Sequence, residues 1–441
     1  MTRQVETHFL VNFRNATASA SFRRKVRPPG YLVAPAYLTR NLAAAAVKFS
    51  RRGNSIVADN GLFDDITRLA NQLGGRPPSR ALAAEASVAA AAVDAAAHYD
   101  EQVGLEPSAI IGVEDITPAL WMRLGLSDRE LPDRRDSLRR RNRRTATRGA
   151  ETIARLPGSW DYLPVASAYD YDSAFDAGRE FAAAGLTGAA MGFGAFMREN
   201  AATRTVKIRG RQRRLAASMP VRYLGTALVA RGFWDGWRAE SGGAPERFHF
   251  LGLGAPIMMG VVSLAGAQTP VLTFDATSPI KDATEGTIYV SKPAHLKIRT
   301  WKAAERLAMD PRERWRCPCG FCRAFTASRP FEYERGNRWY ATHGGPVRPT
   351  ALRGQATLAR AYPLLAQPSG GDLGREIDFA RVGHNHWALE DVAAQIQEAR
   401  LQQTLTLHVG GVVIAYDAAT PLRNYAAAVR LSFDIARGAW P

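Results

Sequence analysis

Between residues 8 and 275, short apolar runs alternate with longer stretches in which apolar positions recur at helical spacing. The runs at 8–13, 55–58, 108–113, 161–166, 188–192, 249–253 and 271–275 are too short for helices and read as buried strands. Residues 80–99 are rich in alanine and free of glycine and proline, which predicts helix; 134–156 and 172–185 predict two more, the first of them amphipathic. This alternation predicts an α/β fold, with a parallel sheet closed by crossover helices into a (β/α)8 barrel. Acids and glycines cluster just after the strands, at the end of such a barrel where catalytic groups gather. Beyond residue 303 the pattern changes. Residues 310–350 are rich in Pro, Cys and Arg, and 366–375 in Gly and Pro; predicted helices at 387–403 and 419–436 flank a predicted strand at 405–414. The sequence therefore divides into a barrel over 1–303 and an appended subdomain over 304–441.

The longest uncharged stretch, 250–274, is broken by Gly252, Gly254, Pro256, Gly260, Gln268 and Pro270, so it reads as buried strands and loops rather than a membrane span. The first eight residues lack the charged-then-apolar pattern of an export signal. An intracellular protein without a membrane partner is the expectation.

Charge adds a partner. The 441 residues carry 58 Lys plus Arg against 41 Asp plus Glu, a net charge of +17. Eight arginines lie between Arg134 and Arg148, among them Arg139 and Arg140. A second group, Lys207, Arg209, Arg211, Arg213 and Arg214, nearly alternates, and a third covers Lys292, Lys297, Arg299 and Lys302. Any one cluster alone also fits a solvated face. Three together favour a polyanion, with guanidinium forks on phosphates and counterion release as the driving force.

All three cysteines fall within Cys317-Pro318-Cys319-Gly320-Phe321-Cys322. An odd count in so short a span is no disulfide framework and points to a metal site. Three thiolates need a fourth ligand to close a tetrahedral zinc site, and His343, His384 and His386 lie downstream as candidates. Four protein ligands leave no open position, so the zinc is expected to be structural.

Three segments place acids in turn-like settings: Asp59-Asn60-Gly61-Leu62-Phe63, Glu114-Asp115-Ile116-Thr117-Pro118 and Phe274-Asp275-Ala276-Thr277-Ser278-Pro279. Each alone also fits a cap or turn. Together with the cysteines they resemble the tRNA-guanine transglycosylase superfamily (queuine and archaeosine enzymes), over roughly residues 50–325 and a patch near 384. Asp59 to Phe63 looks like the family's Asp-Ser-Gly-Gly-Phe, and Glu114 to Pro118 like its Asp-Glu-Cys-Thr-Pro. Gly188 to Ala195 resembles its glycine-rich strand end, and His249 to Pro256 its Leu-Met-Gly-Val-Gly-Thr-Pro. The spacing of Phe274, Asp275, Pro279, Gly286 and Thr287 is similar to the segment that bears the nucleophile. Cys317, Cys319, Cys322 and His384-Asn385 resemble the zinc motif.

The resemblance implies that Asp275 is the nucleophile and Asp59 the general acid/base. Glu114 or Asp115 would bind the purine edge, Phe63 and the backbone near Phe193 and Gly194 would sandwich the ring, and Gly252 would line the site. Arg139, Arg140, Lys207, Arg209, Arg211 and Lys281 are candidates for phosphate contacts. The zinc set would be Cys317, Cys319, Cys322 and His384. The departures are several. Gln-Gly-Gly, whose glutamine contacts the purine in the family, is replaced by Ala166-Ser167-Ala168. His384 follows Cys322 at a longer interval than in the family, which keeps His343 and His386 as alternatives. Asn60 and Asp64 stand for Ser and Gln, and Lys281 stands for Arg. They point to the paralogues that insert 7-deazaguanines into DNA in bacteria and phages. The expected partners are then DNA (transfer RNA is the alternative), a free 7-deazaguanine base of the preQ0 type, a second copy in a homodimer, and other DNA-modification proteins. The expected compartment is the cytoplasm, that of the host if the protein is phage-encoded. A catalytically silent nucleic-acid-binding homologue is the reading from a different class.

Overall fold

The structure, a computed structural model, describes residues 5–14, 16–93, 95–112, 115–155, 160–192, 205–208, 211–214, 221–289, 297–300, 317–323, 371–419 and 423–439. The chain forms two compact units, 1–13 with 29–275 and 394–441, and 14–28 with 276–393.

The first unit is built on parallel strands. In chain order they are β1 (Glu6–Asn12), β2 (Gly30–Val33), β3 (Ser55–Ala58), β4 (Ala109–Ile111), β5 (Asp161–Leu163), β6 (Val165–Ala166) and β7 (Gly188–Gly192). A small antiparallel hairpin, β8 (Thr205–Ile208) with β9 (Arg211–Arg214), intervenes before β10 (Arg247–Leu251) and β11 (Val271–Asp275). Nine strands join in the order β5-β4-β3-β2-β1-β11-β10-β7-β6, every pairing parallel. The two ends of that order, β5 and β6, are separated in the chain by Pro164 alone. The sheet is thus a nearly closed, barrel-like one, and a proline can sit at its junction because the missing N–H interrupts the ladder only there.

One face of the sheet is apolar and packed on itself, with Leu10, Leu32, Val57, Ala109, Ile111, Leu163, Val165 and Ala190 in one cluster. The period-2 alternation turns the neighbouring side chains to the other face. There Phe248, Phe250 and Phe274 meet α9 (Val221–Ser241), with Trp234 4.5 Å from Phe248 and Phe250 stacked 4.7 Å from Phe274.

The helices of this unit are α2 (Arg40–Ser50), α3 (Leu62–Leu73), α4 (Arg80–Ala91), α5 (Ala95–Val103), α6 (Thr117–Arg123), α7 (Arg134–Arg155), α8 (Tyr171–Ala183), α9, α10 (Pro256–Ala265), α13 (Leu405–Ala419) and α14 (Arg423–Ala436). The segment predicted as one helix over 80–99 is two, α4 and α5. The predicted strand at 405–414 is helix α13. Its β-branched residues suggest a strand, but its buried positions Leu405, Val409, Val412 and Val413 recur at helical spacing and Val409 packs over Gly260 of α10. Tertiary burial overrides propensity here.

The second unit contains α1 (Ala20–Val26), α11 (Ser278–Thr284), the antiparallel pair β12 (Thr287–Tyr289) and β13 (Lys297–Arg299), and most of α12 (Gly371–Leu401). Phe22, Phe321 and Phe379 form its aromatic core, with ring centroids 5.3–6.3 Å apart. Gly383 lets the Phe321 ring lie against α12; a Cβ there would stand 2.1 Å from the ring.

Candidate functional site

Two carboxylates occupy strand ends of the first unit, Asp59 after β3 and Asp275 on β11, with β2 and β1 between them in the sheet. Asp275 is the last residue of β11 and is almost fully buried. Its Oδ1 accepts the Gly252 backbone N–H at 2.9 Å, and Gly252 takes a left-handed φ of +71° that a side chain would disfavour. The His249 Nε2 lies 3.3 Å from the same oxygen, and the His249 Nδ1 is 2.8 Å from the Thr273 hydroxyl. Asp275, Thr273 and His249 therefore share one sheet face, with Oδ1 held by the Gly252 N–H.

Asp59 follows β3 directly, and its backbone N–H continues the ladder to the Val33 carbonyl at 2.8 Å. Asn60 donates from Nδ2 to the Gly112 carbonyl at 2.9 Å and accepts the Leu62 N–H at 3.1 Å, fixing this strand end against the next. Gly61, with φ +70°, then starts α3. Burial and the nearby Asp275 charge push the Asp59 carboxyl up to about 7, against the Asn60 N–H that favours its ionised form. A carboxyl that keeps its proton up to about 7 suits a proton donor.

The raised value has a consequence for stability. The folded state holds the Asp59 proton up to about 7, whereas the unfolded chain releases it near 3.8. Stability therefore falls as pH rises through that window and stays lower above it, by at most about 4 kcal/mol. Asp59→Asn carries no such cost. Its melting temperature should exceed that of the unmodified protein by a few degrees at pH 8 and by less at pH 5; equal differences at both pH values, or a loss at pH 8, would contradict the electrostatic picture.

Phe63, two residues into α3, is 62% exposed, so it is not a core residue, and Arg123 stacks over its ring at 4.7 Å. Asp115 is engaged otherwise. Its carboxylate pairs with Arg141 and accepts the Thr117 N–H at 3.0 Å. Burial works to raise its carboxyl, but Thr117 and Arg141 outweigh burial and hold it below the usual range. Both of its oxygens are thus engaged beside the start of α6. Glu114, Phe193, Gly194 and Arg209 lie outside the described residues, as do the side chains of Lys207 and Arg211 on β8 and β9. Lys281 is on α11 of the second unit. Arg139 stands 3.6 Å from Glu180, whereas Arg140 is exposed. A separate cavity of about 390 Å³, lined by Trp160, Thr187, Glu246 and Pro270 among others, lies where strands begin and contains neither Asp59 nor Asp275.

His249 escaped the sequence reading. A lone histidine inside an apolar run reads as core, and only the register of β10 against β11, which pairs His249 with Thr273, reveals its carboxylate neighbour.

The second unit contains a cluster of residues that could hold a metal ion. Sγ atoms of Cys317, Cys319 and Cys322 lie 3.4, 3.6 and 3.6 Å from the Nδ1 of His384, and the four ligand atoms are mutually within 4.8 Å. The other ring nitrogen of His384 donates to the Tyr289 carbonyl at 2.8 Å, which fixes the tautomer so that Nδ1 presents its lone pair to the sulfurs. The neighbouring Cys317 and Cys322 thiols push Cys319 strongly down toward thiolate, while burial pushes Cys322 up. Asn385 holds the surrounding backbone: it donates to the Pro279 and Thr287 carbonyls and accepts the Tyr289 N–H at 3.0 Å. His386 is turned away, edge-on to Phe22, and burial pushes it down to about 3. His343 lies outside the described residues. A buried Cys3His set of this kind can hold a metal ion.

Among the described residues, no helix is long and apolar enough to cross a membrane. Compared with known proteins, the chain matches no family model and no curated protein.

Proposed function

We propose that the protein is a base-exchange glycosyltransferase of the tRNA-guanine transglycosylase type that replaces guanine in DNA by a 7-deazaguanine. The observation that carries this reading is the pair of strand-end carboxylates, Asp275 gripped at one oxygen and Asp59 held near neutral pH. Asp275 Oδ2 attacks C1′ of the target nucleotide as the bond from C1′ to guanine N9 breaks; the electron pair leaves with the base, which takes the Asp59 proton. In the second half, Asp59 accepts a proton from the incoming base. The N9 of that base then bonds to C1′, and the Asp275 ester opens to restore the carboxylate. One glycosidic bond replaces another, so no energy source is required. The target nucleotide has to leave the helix stack to reach the strand ends, at a cost of roughly a few kcal/mol.

Several finer points belong to the same reading. Strands β5 and β6 act as one strand bent at Pro164, which makes the sheet an eight-stranded (β/α)8 barrel. The exposed Phe63 stacks on the purine, and Glu114, rather than the engaged Asp115, hydrogen-bonds its edge. The metal is zinc with a structural role: three sulfurs and one imidazole nitrogen suit its ligand preference and fill a tetrahedron.

Nucleoside mass spectrometry tests the substrate. DNA and transfer RNA are each incubated with the protein and 7-cyano-7-deazaguanine, then digested. Deazaguanine in DNA alone is the expected result. Incorporation into transfer RNA instead would keep the chemistry and overturn the substrate.

A further inference from the structure

The eight arginines between Arg134 and Arg148 do different work according to the face of α7 they occupy. Leu138, Asn142, Ala146 and Gly149 form the buried face of this helix. Arg135, Arg139 and Arg143 flank it at four-residue spacing and meet acids of α8 at the same spacing. Arg135 contacts Asp172 and Asp176 at 3.7 and 2.8 Å; Arg139 and Arg143 contact Glu180 at 3.6 and 2.7 Å. Arg134 is buried over the Tyr169 ring at 4.1 Å and lies 3.7 Å from Asp128, and Arg141 pairs with Asp115. Five of the eight charges are thus neutralised by the fold, leaving Arg140, Arg144 and Arg148.

These three are exposed, again four residues apart, and among the described residues no acid pairs with them. At 3.6 residues per turn they lie on the side of α7 opposite its buried face, in a line with a pitch of about 6 Å. Asp136 and Glu151 are the acids beyond its two ends on the same helix. A rigid row of guanidinium groups at this pitch matches successive phosphates along one nucleic-acid strand, and each fork can grip a phosphate bidentately. On a protein with net charge +17, the complementary partner is a regular polyanion.

We infer that Arg140, Arg144 and Arg148 form a docking rail for the phosphate backbone of duplex DNA flanking the nucleotide that enters the site. The choice of DNA over another polyanion rests on the base-exchange reading above; the rail itself rests on the division of α7 into a paired and an unpaired stripe. A site that takes one flipped nucleotide gains little affinity from that nucleotide, so sequence-independent backbone contacts outside it must hold the duplex.

Fluorescence anisotropy with a labelled duplex, measured across salt concentrations, decides the matter. The variant Arg140→Gln/Arg144→Gln/Arg148→Gln is compared with the charge-matched control Arg24→Gln/Arg52→Gln/Arg80→Gln, whose sites are also exposed. The rail variant should bind roughly 10²-fold more weakly at 0.1 M salt, with a log K against log salt slope shallower by about 2 to 3, while the control changes little. Equal losses in both variants, or none in either, would overturn the rail. So would stripe-dependent binding of transfer RNA, heparin or anionic vesicles without binding of duplex DNA. Base exchange is scored separately by nucleoside mass spectrometry. Stripe-dependent DNA binding without exchange defeats only the catalytic reading, and exchange with stripe-independent binding defeats only the rail.

Discussion

Asp275→Asn should lower base exchange by roughly 10⁴-fold or more, which is about 5.5 kcal/mol of transition-state stabilisation. The amide oxygen can still accept the Gly252 N–H, so the strand end keeps its anchor and the variant should fold. What is lost is the nucleophile and, with it, the covalent sugar–enzyme intermediate. A second signature accompanies the first. The Asp275 charge is one of the two causes that raise Asp59, so its removal should bring the Asp59 carboxyl down from about 7. In the unmodified protein, cleavage of the glycosidic bond needs protonated Asp59 and should fall about tenfold per pH unit above that value. Single-turnover cleavage by the unmodified protein across pH 5 to 9 checks the profile, and the pH dependence of melting temperature in Asp275→Asn checks the lowered Asp59 carboxyl. An Asp275→Asn variant with near-normal exchange would remove Asp275 from the mechanism, whatever the pH profile.

Loss of the Cys3His ligands should have an equally large effect on the fold. Structural zinc contributes apparent binding free energies of about 10–16 kcal/mol, and that energy is available only to the folded chain. Cys319→Ser and His384→Ala should both lose the metal and, with it, the fixed packing of the second unit around Phe22, Phe321 and Phe379. The expected results are one zinc per chain in the unmodified protein, well under one in the variants, and new protease cleavage within 276–393. His386→Ala provides the contrast. It removes a ring packed on Phe22 but no ligand, so zinc content should stay at one per chain while thermal stability falls. Full zinc retention in His384→Ala would remove His384 from the ligand set.

The sequence was most legible where chemistry demands a fixed spacing. Cys317, Cys319 and Cys322 announce a metal cluster because three thiols so close together have few other uses, and strand ends are marked by glycines such as Gly61 and Gly252 that take positive φ. Alternating strands and helices likewise follow from local periodicity. The remainder depends on what comes to lie opposite. Arg139 and Arg140 are adjacent and look equivalent, yet one faces Glu180 and the other solvent; telling them apart requires α8 to be placed beside α7. Asp115 appears in a turn as free as Asp59 until Arg141, a full helix away in sequence, reaches it. His249 shows its role only through strand register. Residues 405–414 were misread because β-branched residues satisfy a strand and a buried helix equally well, and only the packing of Val409 on α10 distinguishes them.

The central claim is base exchange at the Asp59–Asp275 pair, and isotopic exchange of guanine tests it without prior choice of a deazapurine. A guanine-containing duplex is incubated with the protein and free ¹⁵N-labelled guanine, and the DNA is digested and its nucleosides weighed. Labelled deoxyguanosine that accumulates with the unmodified protein, and is absent with Asp275→Asn and Asp59→Asn, is the predicted result. A duplex that acquires no label under conditions where the protein is folded, zinc-loaded and bound to it would contradict the account and leave a protein that binds nucleic acid without remaking its glycosidic bonds.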